Sequence, residues 1–255
     1  MKNGALGEDI GKYKILLDRV SSTHWFALEL LRAGNAEHGT MVTCLEQTHG
    51  KGRLDKSWDH EKSKNIAINF ILNEINAGTG FTAGHLSMVV ALAVCFTSKA
   101  TLGSDVRIKW PNDIISQSKK IAGILITNQW RGSQMESCVI GIGININKVD
   151  FTGIPQAGSF KSLTGKETDV NIVIQTLIQQ MNHWYKLLYH DVQEVVDAYH
   201  HDLYGYQQFI QVRVIRDDTL QDAKIIEVDQ DGIVKLEFKN GNIRSYDLDE
   251  LKIIF

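Results

Sequence analysis

From Gly141 to Asn147 the chain reads Gly-Ile-Gly-Ile-Asn-Ile-Asn, a strict two-residue alternation that suits an extended strand and no helix. Ile142, Ile144 and Ile146 share one face, which must be buried. Gly141, Gly143, Asn145 and Asn147 share the other, and that face is bare backbone followed by amides. Glycine weakens a strand interior, so its repeated use marks a close approach. Either a ligand or a packed helix would satisfy that reading.

A second strand has a forced end. The segment Arg107-Ile108-Lys109-Trp110-Pro111-Asn112-Asp113 contains one of only two prolines in 255 residues. Proline cannot continue a ladder, so the strand stops and presents Asn112 and Asp113 at its tip. Lys119 and Lys120 then open another apolar strand, Ile121 to Ile126. The pair predicts a hairpin whose open end gathers an amide, a carboxylate and two ammonium groups. Lys120 is the sharpest catalytic candidate there, with Lys119 as a solvated neighbour. Strict alternation places Lys120 and Gly123 on opposite faces.

Between Gln47 and Trp58 glycines alternate with cations: Gln-Thr-His-Gly-Lys-Gly-Arg-Leu-Asp-Lys-Ser-Trp. A backbone this free can fold around an anion neutralised by Lys51, Arg53 and Lys56; a solvated basic loop is the plainer alternative. The Gly-Lys-Ser/Thr ending of a Walker A loop is absent. Trp58 offers a face for a purine ring or for the core. Asn145 has the amide geometry that makes two hydrogen bonds to an adenine edge. Ser22, Thr23 and Gln47 are small polar groups at element ends, suited to capping or to orienting a small polar ring.

The rest of the chain frames these segments. A formal net charge of −3 argues against a broad nucleic-acid-binding surface. Cys44, Cys95 and Cys138 form no CxxC pair, which fits a reduced, cytoplasmic setting. The longest apolar run, Met88–Phe96, is too short to span a bilayer, and Met1–Ile10 lacks a signal-peptide layout. Neither nucleic acid nor membrane is an expected partner. Residues 1–12 read as a disordered lead. Strands are predicted for Tyr13–Val20, Thr40–Glu46 and Asn65–Leu72, and a strand again from Met135 to Asn147. Helices are predicted after Ser22, over Thr82 to about Ala100, from about Ile172 to Tyr189, and from about Val192 to Leu203. Residues 148–168 read as loop. Past Gly205 short strands dominate, with Asn240-Gly241 as a hairpin turn, so a small barrel or sandwich is expected over 206–255.

Taken in order, these segments resemble the biotin protein ligases. The resemblance rests on Ser22-Thr23, Gln47-Thr48-His49-Gly50-Lys51-Gly52-Arg53 with Trp58, Lys109-Trp110-Pro111-Asn112-Asp113, Lys120-Ile121-Ala122-Gly123-Ile124-Leu125, and Gly141 to Asn147. It implies an α+β fold with a mixed, largely antiparallel sheet flanked by helices. Such a fold is related to the catalytic domains of class II aminoacyl-tRNA synthetases and lipoate ligases. The resemblance places the catalytic unit at 13–205 and an SH3-like barrel at 206–255. It implies ATP and biotin as substrates, Mg²⁺ on the triphosphate, and a lysine of a biotin carboxyl carrier protein as acceptor, in acetyl-CoA carboxylase or another biotin-dependent carboxylase. By similarity Lys120 and Arg53 are catalytic. Ser22, Thr23, Gln47, Gly50, Lys51, Arg53, Lys120, Gly123, Gly141 and Gly143 would bind biotin. Arg53, Lys56, Trp58, Asn112, Asp113, Lys120 and Asn145 would bind the nucleotide.

The chain departs from the family pattern at Lys51 (usually Arg), at Leu54-Asp55, and at His24, where Asn is usual. Nothing before Tyr13 suits a helix-turn-helix module, so a repressor role is not expected, whereas a homodimer is compatible. Two rivals are a lipoate ligase and a biotinyl-AMP sensor without transfer activity. Ser22, Thr23 and Gln47 favour biotin, because lipoate has no ureido group to pair with them. Lys120 disfavours a sensor, because binding alone does not need that ammonium.

Overall fold

The computed structural model describes residues 9–53, 57–59, 61, 62, 64–73, 75 and 82–255. In chain order they form β1 (Lys14–Val20), α1 (Thr23–Arg32), β2 (Thr40–Gln47), β3 (Gly50–Lys51), β4 (Ser57–Trp58), β5 (Asn65–Leu72), α2 (Ala83–Leu102), β6 (Val106–Lys109), β7 (Asp113–Ser116), β8 (Lys119–Arg131), β9 (Gln134–Asn145), α3 (Phe160–Thr164), α4 (Val170–His190) and α5 (Val192–Asp202). Five further strands follow: β10 (Ile210–Val214), β11 (Thr219–Val228), β12 (Val234–Phe238), β13 (Ile243–Tyr246) and β14 (Leu251–Ile253).

Seven strands make the main sheet, in the order β1-β2-β5-β9-β8-β7-β6. Only β1 and β2 are parallel, because α1 crosses between them; the other neighbours are antiparallel. The mixed α+β arrangement expected from the sequence is present. Alternation assigns the two faces. Ile66, Ile68 and Phe70 of β5 pair with Ile144, Ile142 and Ile140 of β9, and all of them join a core with α2 and α4. Each such side chain stabilises the fold by about 1.5–3 kcal/mol when fully buried. On the opposite face Val42, Ile71 and Val139 pack under Ala27 and Leu28 of α1. The first turn of α1 also reaches over Gly141 through His24, whereas no helix among the described residues lies over Gly143, which meets Trp58 instead.

Helix boundaries follow their caps. The Ser22 hydroxyl accepts from the Trp25 N–H, and Thr82 and His85 close a capping box on α2. α2 is long and apolar enough to cross a membrane by length and composition, but 67% of that window is buried inside the protein. It is the central core helix.

Strands β10–β14 form a separate antiparallel sheet in the order β13-β12-β11-β10-β14. Asn240-Gly241 turns β12 into β13, with Gly241 at φ +82°, a backbone state that suits glycine. This sheet is joined closely to the main layer. Tyr204 donates its N–H to the Ile108 carbonyl at 2.7 Å, and the Trp110 indole N–H donates to the Gly232 carbonyl at 3.0 Å. Val212, Ile225 and Leu236 belong to the same continuous core as α2.

Two expectations are corrected. Of the lead expected over residues 1–12, residues 1–8 lie outside the described residues, and 9–12 are ordered: Ile10 is 1% exposed, and its backbone exchanges hydrogen bonds of 2.8 and 2.9 Å with the Asn182 amide. One apolar side chain among polar neighbours was too weak a pattern to reveal that anchor. Residues 148–168 are not all loop, since the short α3 buries Phe160 completely.

The junction between the two sheets is sensitive to acid. His200 donates from Nδ1 to the Val196 carbonyl at 2.9 Å and accepts the Val228 N–H at Nε2 at 2.8 Å, so only the neutral ring fits. Burial lowers its pKa against the opposing pull of that carbonyl, Glu227 and Asp197. Burial likewise lowers His85, against Asp231. Unfolded imidazoles take up protons near pH 6.5, while the folded ones resist. The unfolded chain therefore binds more protons below that pH, and stability falls as pH drops through it. Melting followed by circular dichroism should show a lower Tm at about pH 5.5 than at about pH 7.5. A Tm that is level or rises towards acid would contradict this account.

Candidate active site

Register builds a cavity on the uncovered face. Ala67 pairs with Gly143, Gly143 with Gly123 and Gly123 with Asp113, which makes one row across four strands. The adjacent row runs Val42, Asn69, Gly141, Leu125. Gly143 and Gly123 fill the middle of the first row and Gly141 adjoins them in the second, so the centre of the floor is bare backbone. Over it lies a cavity of about 430 Å³, walled by β2–β4, the 154–157 loop and the end of the second sheet.

The inner end is a buried polar network. Gln47 Oε1 accepts from both the backbone N–H and the hydroxyl of Thr23, each at 2.9 Å. Asn69 Nδ2 donates to Thr23 Oγ1 at 2.7 Å. His24 bridges Asn69 Oδ1 and Thr127 Oγ1, both at 2.9 Å. Ser22, which caps α1, also lines this end. Gly50 lies behind the wall: a Cβ there would stand 2.2 Å from the Trp58 carbonyl oxygen and 2.4 Å from Gln47 Nε2. It permits the tight β3–β4 pairing.

The middle is electrostatic. Asp113 stands between two amines, with Oδ2 3.1 Å from Lys109 Nζ and Oδ1 2.5 Å from Lys120 Nζ. Burial would raise the Asp113 carboxyl, but Lys120 and Lys109 together outweigh burial and hold it below the ordinary carboxylate value. Lys109 goes the other way: burial lowers it more than Asp113 raises it. Alternation alone set Lys120 apart from Gly123, and a bulge reverses that. Ile114 pairs with Ala122 but Ile115 with Lys120, leaving Ile121 as the extra residue. Lys120 thus reaches the glycine floor, its Nζ 3.3 Å from where a Gly123 Cβ would be.

Trp58 lies flat on that floor. A Cβ on Gly143 would stand 2.2 Å from its Cε2, and one on Gly123 would stand 3.2 Å from its Cζ3. The indole N–H is buried without an acceptor among the described residues. At the mouth are Lys51, Arg53 and, from the second sheet, Leu248, Asp249 and Lys252. Arg53 pairs with Asp249 at 3.1 Å.

Most of the candidate residues therefore converge. Ser22, Thr23, Gln47, Lys51, Arg53, Trp58, Asn112, Asp113, Lys120, Gly123, Gly141 and Gly143 line one space. Asn112 is partly committed: its amide donates to the Ile124 carbonyl at 2.7 Å and so pins the hairpin. Lys56 lies outside the described residues, as do Leu54 and Asp55. Asn145 is not brought in. It keeps the parity of Gly143, but it is buried and donates to the Gly158 carbonyl at 3.0 Å. The loop after β9 folds back, pairs with Lys120 through Ala157, and covers it.

A model described as the biotin/lipoate A/B protein ligase family matches residues 16–145, from β1 to the end of β9. The chain belongs to that family. Among relatives, the bifunctional ligase/repressor of Bacillus spizizenii is 29% identical over 252 residues, covering 96% of this chain and 76% of its own. A biotin–[acetyl-CoA-carboxylase] ligase of Paracoccus denitrificans is 33% identical over 146 residues, 56% of this chain and 57% of its own. The Aquifex aeolicus biotin protein ligase, solved with biotin and ATP, superposes with a TM-score of 0.75 at 22% identity over 95% of this chain and 98% of that one. This family member shares its fold.

Three contributors had weak signals. Asn69 is a buried amide in a strand whose neighbours are all buried, which is unusual and could have been noticed. Thr127 and Asp249 carry no local signal, since only the tertiary fold brings them to the site.

The two floor glycines differ in what an added methyl would meet. At Gly141 it would press on His24 Nδ1 at 2.8 Å and Asn69 Oδ1 at 2.9 Å, both locked in hydrogen bonds. At Gly143 it meets an indole that can swing. Overpacking costs about 1–3 kcal/mol where neighbours cannot yield, so Gly141→Ala should destabilise this protein more than Gly143→Ala in urea unfolding. The opposite order would refute the assignment of a rigid inner end.

Proposed function

We propose that this chain is an ATP-dependent ligase that activates biotin as biotinyl-5′-AMP and transfers it to a lysine of a biotin carboxyl carrier protein, a component of acetyl-CoA carboxylase or a related carboxylase. The observation that carries the reading is the position of Lys120. Its ammonium stands on the glycine floor, between a hydrogen-bonding inner end and a cationic mouth, 2.5 Å from Asp113.

An anionic carboxylate must approach a polyanionic triphosphate, so positive charge is needed where the two meet. Biotin lies with its ureido ring against Ser22, Thr23 and Gln47 and its bicycle over Gly123, Gly141 and Gly143. Its carboxylate oxygen attacks the α-phosphorus, the acyl–O–P bond forms, and pyrophosphate leaves. Lys120 bridges the two reacting anions. Arg53 and Lys51 hold phosphate oxygens, Arg53 exchanging Asp249 for them. The uncharged amine of the carrier lysine then attacks the acyl carbon, AMP departs, and the new amide loses its extra proton to solvent. Trp58 occupies the floor that the bicycle needs, so it moves aside and stacks on the adenine. Asn112 shapes that end of the site, and Asn145 acts from beneath it, its amide holding the Gly158 carbonyl.

Among the described residues no group of three or more His, Cys, Asp or Glu side chains could hold a metal, and Asp113 is already shared by two amines. In this reading Mg²⁺ would be held mainly by the triphosphate with few protein ligands, where it would neutralise charge. The same reading makes residues 13–205 the catalytic unit and 206–255 an SH3-like barrel that walls the nucleotide end. It places the enzyme in the reduced cytoplasm. Burial raises Cys44 to about 11 and Cys95 to about 12, so these thiols are poor nucleophiles. A homodimer is compatible with this reading.

Incubation with a carrier domain, biotin, ATP and Mg²⁺ should add one biotinyl mass to the carrier. Addition of lipoate instead would make the chain a lipoate ligase, and biotinyl-AMP formation without any transfer would make it a sensor. A charge-assisted hydrogen bond is worth about 1.5–3 kcal/mol. Lys120→Ala should therefore slow biotin-dependent pyrophosphate exchange by roughly ten- to a hundred-fold while leaving the fold intact. Exchange at the wild-type rate in that variant would remove Lys120 from the reaction.

A further inference from the structure

Below the inner end of the cavity the hydrogen bonds have a direction. Asn69 Nδ2 donates to Thr23 Oγ1 at 2.7 Å, so Asn69 turns its carbonyl oxygen to His24. His24 Nδ1 must then carry the proton that donates to Asn69 Oδ1 at 2.9 Å. Burial favours the neutral ring, so Nε2 accepts the Thr127 hydroxyl proton at 2.9 Å. The series ends at Thr23, whose hydroxyl proton goes to Gln47 Oε1 at 2.9 Å. Thr23 Oγ1 has thus given its one proton to Gln47 and one lone pair to Asn69. What it can still offer a ligand is a lone pair.

Thr127, His24, Asn69 and Thr23 come from β8, α1 and β5, and the series rests on bare backbone at Gly141, where any side chain would press on His24 and Asn69. All four hydrogen bonds point the same way, from Thr127 towards Gln47, so each fixes the sense of the next. Reversal requires His24 to change tautomer and Asn69 to flip together.

We propose that His24 is a positioning residue that sets the hydrogen-bond polarity of the inner pocket, so that Thr23 meets the ligand as an acceptor for a ureido N–H. The proposal rests on the biotin reading and deepens it. It gives the residue at 24, where this chain departs from the usual Asn, a role in ligand choice that is exerted through Asn69 and Thr23. A lone-pair-bearing Thr23 selects a ring with an N–H donor over one whose matching position is an ether-type oxygen, because two acceptors would face each other in a buried site.

The test uses the full chain, biotin, and the two carbamate analogues in which one or the other ureido N–H is replaced by oxygen, with binding measured by calorimetry and turnover by carrier labelling. For the wild type, one analogue should bind roughly ten-fold or more weaker than biotin. His24→Phe keeps a ring but neither nitrogen. It should raise the KM for biotin roughly ten-fold with kcat and the KM for ATP within about two-fold, and bind the disfavoured analogue no more weakly than the wild type does. His24→Gln, which can still donate to Asn69, should restore part of the discrimination. If His24→Phe does not fold, Thr127→Val serves, with a smaller change of the same sign. Undiminished discrimination in these variants, or kcat and both KM values moving together, overturns the proposal. Failure of the wild type to bind biotin at all would instead overturn the biotin reading.

Discussion

The site depends on the antiparallel register of β9 between β5 and β8. That register lines up Ala67, Gly143, Gly123 and Asp113 on one row and Asn69, Gly141 and Leu125 on the next. A shift of one residue would turn Ile142 and Ile144 towards the cavity and bury the glycines against α2, because side chains alternate strictly. Ile140, Ile142 and Ile144 are each at most 2% exposed, so burial of the isoleucine face sets the register. The ligand face follows from the core. The same strand that closes the hydrophobic layer against α2 leaves its other side open.

On that floor a carboxylate meets two amines, Asp113 and Lys109 largely buried and Lys120 about a third exposed. Burial and charge oppose each other at Asp113, and charge prevails; at Lys109 burial prevails. The difference follows from number: the carboxylate has two cationic partners, while each amine has a share in one anion. Separating such charges from a partner in low dielectric costs far more than forming the pair returns. Asp113 therefore keeps Lys120 aimed along the floor, and the bulge at Ile121 lets it reach there. A regular hairpin would have placed the same lysine behind the sheet.

What was legible in the sequence was whatever a local pattern can encode. The Gly-Ile alternation revealed β9 and its two faces, Ser22 and Thr82 fixed two helix starts, and Asn240-Gly241 fixed a hairpin. Composition and order of motifs brought together most residues that line the cavity. Three things lay beyond that reach. The bulge that moves Lys120 onto the face of Gly123 arises from pairing with β7 and has no signature of its own. Asn145 keeps the right parity, yet a loop covers it, and parity cannot report what folds on top. Ile10 is anchored by Asn182, a partner far along the chain. In each case the deciding contact is tertiary.

The second sheet is more than an appendage, and the magnitudes show why its contact with the loop can be provisional. Asp249 is 64% exposed on its side chain in the pair with Arg53, and exposed ion pairs contribute about 0.2–1 kcal/mol. A hydrogen bond from the same guanidinium to a phosphate oxygen contributes about 1.5–3 kcal/mol. In the proposed reaction, a phosphate arriving at the mouth would therefore displace Asp249 without an external source of free energy. Trp110 and Gly84 meanwhile tie the floor-bearing unit to the Gln230–Gly232 turn through contacts that admit little slack: a Cβ on Gly84 would stand 2.2 Å from the Gln230 carbonyl oxygen. A firm joint at one side and an exchangeable ion pair at the other let the second sheet stay in place while Arg53 changes partner. On the proposed reading Arg53, and not the second sheet, is what responds to the ligand.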